Sequence, residues 1–330
     1  MSNPNICKEI KELTSVIIDT ATTDLESENC IHKIHVHLQE ITQISGYDHS
    51  LENSAAIPAF KGSALGLNFA AQCLFDYKRT SKFLKAIIIA IKEAQKKHPN
   101  TPINIFYAGC GPYAPFLTLV APLFKPEEIQ FSLLEINKNS VISAKKLIDK
   151  LNLSSYVKDI YTADAITFKI NNGSSFHVLI SETLDALLYR ECYVPILINL
   201  LPQFKKDIVL IPENVILDLS IVLNNKTNSD SEEINIDTIF NTKTSVSKNT
   251  NTILTELPST KIDISSFDEN LINRFIIDTK VHIYKDIWLS RNESSLSIPY
   301  QFSLEKPFKN KIAVFTYFLE PEIEMKISFE

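Results

Sequence analysis

Between Ile103 and Pro212 the chain alternates short apolar runs with helical segments, and this order restricts the fold more than any other feature. "INIFYA" is followed by the helical "APFLTLVAPLF", and "IQFSLLEI" by "NSVISAKKLIDKL". "VKDIYTA" and "FHVLISE" then precede "LLYRECYVPILINLLPQF", read as one helix, and a last run, "DIVLIP". Strands separated by helices predict a parallel, doubly wound sheet. The runs are apolar on both faces, as strands covered by helices on either side must be.

On either side of this block the pattern differs. The first sixty or so residues read as helical and mixed, and Leu65 to Lys97 as one or two helices with Leu67, Ala70, Ala71, Leu74 and Phe75 on the apolar side. After Pro212 helices almost vanish. "NVILDLSIVL", "TKVHIYKDIWLS", "SLSIPYQFSLE", "KIAVFTYFLE" and "IEMKISFE" are β-like and predict a second, antiparallel unit. Asn224 to Thr252 is rich in Asn, Ser and Thr and reads as a long loop or mobile excursion.

Composition excludes several classes. A hydrophobic content of 45% supports a large core, and a net charge of −6 argues against a general nucleic-acid binder. The five cysteines are scattered and form no CxxC pair, so neither a disulfide framework nor a zinc ribbon is predicted. "MSNPNICKEIKELTSV" lacks the basic and apolar parts of a signal peptide, and "FLKAIIIAIKEAQKKH" is too short and too lysine-rich to span a bilayer. A cytoplasmic protein without a membrane partner is the expectation.

The chain has only six glycines, and two of them, Gly109 and Gly111, directly follow "INIFYA". In a doubly wound sheet ligands sit beyond the carboxyl ends of the strands. Glycine suits that place because it tolerates positive φ and lets backbone approach a ligand. The second strand ends at Glu135, where a carboxylate can accept bonds from both hydroxyls of a ribose. The third ends in "TADA", which puts Asp164, with Ala165 beside it, where an adenine amino group would donate. A dinucleotide site is one reading, with Ala114 in the third glycine position of G-x-G-x-x-G. A helix cap is the plainer reading of Glu135 alone.

In this order a glycine turn, a ribose acid and an adenine acid resemble the class I S-adenosylmethionine-dependent methyltransferases. More narrowly, "ISETLDALLYRE" resembles the double-glutamate hairpin of the protein arginine methyltransferases, with Glu182 and Glu191 at that family's nine-residue spacing. The likeness extends over roughly residues 65 to 330. Residues 1–64 stand outside it as an N-terminal helical or mixed segment; it implies a Rossmann-like cofactor-binding methyltransferase domain at 65–212 and a β-rich, barrel-like substrate and oligomerisation domain at 213–330. It implies S-adenosylmethionine as cofactor, held by Arg79 of "DYKRTSKFL" at the carboxylate of its methionine part, and by Tyr107, Gly109, Gly111, Glu135, Asp164 and Ala165. Glu182 and Glu191 would be catalytic, the acceptor a nitrogen or oxygen of a peptide, protein or small molecule, and the assembly a homodimer. Tyr107-Ala108 stand where the family carries an acidic residue, and its Thr-His-Trp run does not occur.

Other readings stay beside this one. Glu135 would serve a nicotinamide-dependent oxidoreductase equally well, and a cofactor-binding partner without catalysis would need no Thr-His-Trp loop. Glu191 taken alone is a helix-surface acid paired with Arg190, Asp185 a helix N-cap, and Tyr189 a core aromatic. His32, His35 and His37 have no acid or cysteine nearby to complete a metal set, so no metal site is expected.

Overall fold

The computed structural model describes residues 4–48, 50–224, 231–247, 254–303, 305–308 and 310–330. Two helices open the chain, α1 (Pro4–Ile18) and α2 (Asp24–Thr42), followed by a short α3 (Leu51–Ser54), a two-stranded hairpin β1 (Ile57–Pro58) and β2 (Ser63–Ala64), α4 (Leu67–Gln72) and the long α5 (Tyr77–Lys97). Thr23 and Glu26 form a reciprocal capping box at the start of α2. In α5, Phe83, Leu84, Ile87, Ile91 and Ala94 recur three or four positions apart and are buried, while Lys96 and Lys97 sit in the last turn, where the helix dipole favours positive charge.

The alternating block forms β3 (Ile103–Ala108), α6 (Pro115–Thr118), β4 (Ile129–Glu135), α7 (Lys138–Lys150), β5 (Val157–Thr162), β6 (Val178–Ser181), α8 (Tyr193–Leu200) and β7 (Val209–Ile211). All five strands are parallel, in the order β5-β4-β3-β6-β7. The chain therefore starts in the middle, winds outward through β4 and β5, and returns to the other side of β3 with β6. That reversal leaves a crevice beyond the carboxyl ends of β3 and β6, where Ala108 is level with both Leu134 and Ser181.

The β-rich part holds β8 (Asn214–Asn224), β9 (Ser231–Asn241), α9 (Thr242–Ser247), β10 (Thr260–Asp263), β11 (Ile272–Tyr284), β12 (Ile287–Leu289), β13 (Tyr300–Phe302), β14 (Ile312–Phe318) and β15 (Glu324–Phe329). They make two antiparallel sheets, one of five strands around β11 and one of three in the order β10-β14-β15. Phe240 of β9 stacks on Tyr317 of β14, ring centroids 4.8 Å apart, and joins the two. Among the described residues no helix is long and apolar enough to cross a membrane.

Three local expectations change. "APFLTLVAPLF" is not one helix: α6 ends at Thr118 and a separate 3₁₀ turn spans Ala121–Leu123, with Pro122 unable to donate to a continuous ladder. Asn224 to Thr252 is not simply a loop, because β9 pairs along β8 from Asn241 to Ser231 and α9 follows; residues 225–230 and 248–253 lie outside the described residues. The helix expected from Leu187 begins only at Tyr193, since Leu187 and Leu188 both take left-handed conformations, φ 63° and 56°. A left-handed residue costs roughly 1–2 kcal/mol when it is not glycine, so something outside the segment must impose it.

Candidate active site

The glycine turn bends sharply off β3. Gly109 has φ +72° and Gly111 φ +64°, and the Gly109 amide donates to the Leu134 carbonyl at 2.8 Å, tying the turn to β4. A Cβ on Gly109 would lie 2.4 Å from Cγ2 of Thr183, which follows β6; on Gly111 the nearest atom would be Ala70 Cβ at 3.9 Å. Gly109 is thus needed for close packing of two strand ends, and Gly111 for its backbone angle. Ala114, in the third glycine position, is itself left-handed at φ 41°.

Glu135 ends β4 and is buried. One carboxylate oxygen accepts the Gly111 amide at 2.8 Å and the other the Asn137 amide at 2.9 Å. It therefore shapes the glycine turn as well as facing the crevice. Burial pushes its carboxyl above the ordinary range, against the pull of these amides. Asp164 lies one turn past β5, its oxygens accepting the Ile166 amide at 2.8 Å and the Phe60 amide of the β1–β2 hairpin at 2.7 Å. Beside it, the Ala165 carbonyl accepts Nδ2 of Asn199 at 2.8 Å.

On the other wall, Arg79 from the first turn of α5 reaches the end of β6 and pairs with Glu182. Both side chains are almost fully buried. The second carboxylate oxygen of Glu182, Oε1, is buried without a hydrogen-bond partner. An unpartnered charged oxygen in a cleft is costly unless something else fills the need, which makes it a place for a donor from outside the chain. Burial raises the Glu182 carboxyl, Arg79 opposes that, and Asp76 adds to it.

Glu191 does not sit on a helix surface with Arg190. The chain between Glu182 and Glu191 forms a tight loop: Asp185 accepts the Arg190 amide at 2.7 Å, the Leu187 amide donates to Oγ1 of Thr279 at 2.9 Å, and Tyr317 donates to the Leu188 carbonyl at 2.5 Å. Thr279 belongs to β11 and Tyr317 to β14, so the β-rich part holds the left-handed pair and turns Glu191 inward. Asp185 is accordingly a cap of this loop rather than of a helix. Tyr189 is not in the core, with 41% of its surface exposed.

Arg79, Tyr107, Gly109, Gly111, Glu135, Asp164, Ala165, Glu182 and Glu191 all line one open cleft. Sequence reasoning missed other parts of the wall, among them Ala59, Ser63 and Ala64 of the N-terminal segment, Ala70 of α4, Thr183, and the thiols Cys73 and Cys192. These are small residues in no recognisable pattern, and no signal marked them. The histidines lie elsewhere, on α2; Nε2 of His35 is 3.2 Å from the Ser45 carbonyl and His37 pairs with Glu9 at 3.3 Å.

The Glu191 carboxyl stands well above its usual range. Burial is the largest cause, Arg79 opposes it, and the neighbouring Asp185 and Glu182 carboxylates add to it. A carboxyl raised on folding binds its proton more tightly in the folded state, so its contribution favours folding at low pH and is lost as pH rises. Glu191→Gln is therefore expected to be the more stable protein near about pH 8, by ~1–2 kcal/mol, with the gap closing toward about pH 4. Urea unfolding of both proteins across that range checks this, and a variant less stable than the parent at the upper end would contradict it.

Five parallel strands wound from the centre, a helical cover and an antiparallel β-rich part make up the described residues. No protein-family model matches the sequence, nor does any curated protein. Among solved structures the chain is similar to one from the Trypanosoma brucei PRMT1 enzyme–prozyme heterotetrameric complex with AdoHcy, at 9% identity and TM-score 0.48, covering 79% of this chain and 96% of that one. It is also similar to Arabidopsis thaliana protein arginine methyltransferase 10 in a uniquely open conformation, at 12% identity and TM-score 0.46, covering 78% of this chain and 95% of that one.

Proposed function

We propose that this chain is an S-adenosylmethionine-dependent methyltransferase acting on a nitrogen of a peptide, protein or small molecule. The observation that carries the reading is the convergence of Glu135, Asp164, Arg79 and the glycine turn on one cleft with the orphaned oxygen of Glu182. The cleft suits the cofactor part by part. Arg79 would take its carboxylate, Glu135 the ribose hydroxyls, Asp164 with Ala165 the adenine amino group, and Tyr107 with Gly109 and Gly111 the close wall. When bound, the cofactor supplies an electrophilic methyl group on a sulfonium.

The remaining work falls to the chain. Glu182 Oε1 and the Glu191 carboxylate would accept N–H bonds from the acceptor and so fix the direction of its lone pair. The loop between them keeps them on the cleft wall, and Glu191, with its raised proton affinity, is suited to receive the proton the nitrogen gives up. In this reading residues 1–64 cover the cleft, 65–212 hold the cofactor and 213–330 set the acceptor side. A nicotinamide dinucleotide fits less well. Its pyrophosphate would meet four carboxylates and one arginine here, and α6, behind the turn, is only four residues long.

Calorimetric titration with S-adenosylmethionine and S-adenosylhomocysteine, on the parent and on Glu135→Ala, tests the cofactor site. Micromolar binding, weakened on the order of tenfold or more in the variant, is the expected result. Absence of binding to the parent would sink the proposal. A second reading, a cofactor-binding partner without catalysis, is favoured by the lack of any Thr-His-Trp run and by Arg79 already occupying Glu182. Cofactor binding without methyl transfer to any peptide or small-molecule amine would support that instead.

A further inference from the structure

Resting on the methyltransferase reading, we infer that Asp76 and the Ser294–Ser295 turn form a latch that positions Arg79 for the carboxylate end of the cofactor. Asp76 caps α5, and one of its oxygens faces the Arg79 amide at 3.4 Å. Its other oxygen collects three donors from the β-rich part: Oγ of Ser294 at 2.7 Å, the Ser295 amide at 2.9 Å and Oγ of Ser295 at 2.8 Å. Such a convergence on a single carboxylate oxygen is stronger than helix capping requires.

The turn is itself rigid. Ser294 and Ser297 close a reciprocal capping box, and both are buried. The same short 3₁₀ segment, Ser295–Ser297, packs against the 3₁₀ segment Ala186–Leu188 of the Glu182–Glu191 loop. The turn therefore touches both partners of the buried pair: the helix that carries Arg79, and the loop that carries the two glutamates. One turn further along α5, Lys82 binds the same region of the β-rich part, through the Trp288 carbonyl at 2.8 Å and Glu293 at 2.7 Å. Asp76 and Lys82 flank Arg79 along α5, so contacts to the β-rich part lie on either side of the residue that enters the cleft. Asp76 is a positioning residue: it does not line the cleft, and Arg79 and Glu182 do.

The test separates positioning from general loosening. S-adenosylhomocysteine carries the amino-acid carboxylate that Arg79 would hold; 5′-methylthioadenosine has the same nucleoside and lacks it. In calorimetric titrations, Asp76→Ala and Ser294→Ala/Ser295→Ala are each expected to weaken S-adenosylhomocysteine on the order of tenfold and to leave 5′-methylthioadenosine within about twofold. Asp76→Asn, which keeps an acceptor oxygen, is expected to recover part of the loss. Lys82→Ala, which removes a neighbouring grip but not the cap of Arg79's own turn, is expected to leave both ligands unchanged. Equal loss of both ligands in Asp76→Ala, or loss of neither, overturns the inference while leaving the cofactor site intact. Failure of the parent to bind either ligand overturns the methyltransferase reading and the inference with it. A folded Ser294→Ala/Ser295→Ala variant keeps the result decisive should Asp76→Ala fail to fold.

Discussion

Arg79→Ala is expected to lower stability by ~3–5 kcal/mol near about pH 8 and by clearly less near about pH 5. The guanidinium is buried and its partner is Glu182, whose other oxygen already lacks a hydrogen bond. Without Arg79 the Glu182 carboxylate would be left, still buried, among Asp76 and Glu191, all of one sign. It would then hold a proton to higher pH in the folded protein than it does now, since Arg79 is what pulls its carboxyl down. A carboxyl raised further on folding makes stability fall as pH rises, so the deficit grows toward alkaline pH. Arg79→Ala/Glu182→Gln should regain most of the loss and flatten the pH dependence. Urea denaturation at the two pH values decides the matter. A deficit below about 1 kcal/mol, or one independent of pH, would mean that the pair contributes little to the fold.

Gly109→Ala is the second large effect, and its cause is local crowding. The new Cβ would meet Cγ2 of Thr183 at 2.4 Å, and the backbone is held at φ +72°. The left-handed angle costs about 1–2 kcal/mol and the overlap about 1–3 more, for a total of ~2–5 kcal/mol. The threonine can be altered independently: Thr183→Ser removes the offending methyl and retains the hydroxyl that faces Ser181 at 3.4 Å. The double variant should recover the overlap part and keep the backbone part. Gly111→Ala, by contrast, meets no atom closer than 3.9 Å and should show the backbone cost alone. Thermal unfolding of the three variants gives the comparison, and equal losses at Gly109 and Gly111 would rule out the steric account.

The parallel sheet was legible because its physical cause is local. Ile103 to Ala108 and Ile129 to Glu135 are buried at nearly every position, and a strand covered on both faces must be apolar throughout. Glu135, Glu182 and Asp164 were legible for the same reason, as polar residues placed where such runs stop. The path to Glu191 was not legible. Leu187 and Leu188 are good helix formers and read as helix; their left-handed turn is imposed by Thr279 and Tyr317, about 90 and 130 positions away along the chain. β9 was hidden by its own surface, since "SEEINIDTIF" exposes its polar side chains and only Ile239 and Phe240 at its far end are buried. The cleft's N-terminal wall went unseen because alanine and serine at close contacts have no periodicity.

The left-handed pair has a consequence for how such a protein changes over generations. Its geometry is dictated by two side chains that never reach the cleft, Thr279 and Tyr317, both anchored in sheets of the β-rich part. Drift at those two positions would swing Glu191 relative to Glu182 while leaving the cofactor wall as it is. On the methyltransferase reading proposed above, acceptor preference and cofactor preference would be heritable along separate routes, and a lineage could explore new acceptors without first giving up the cofactor.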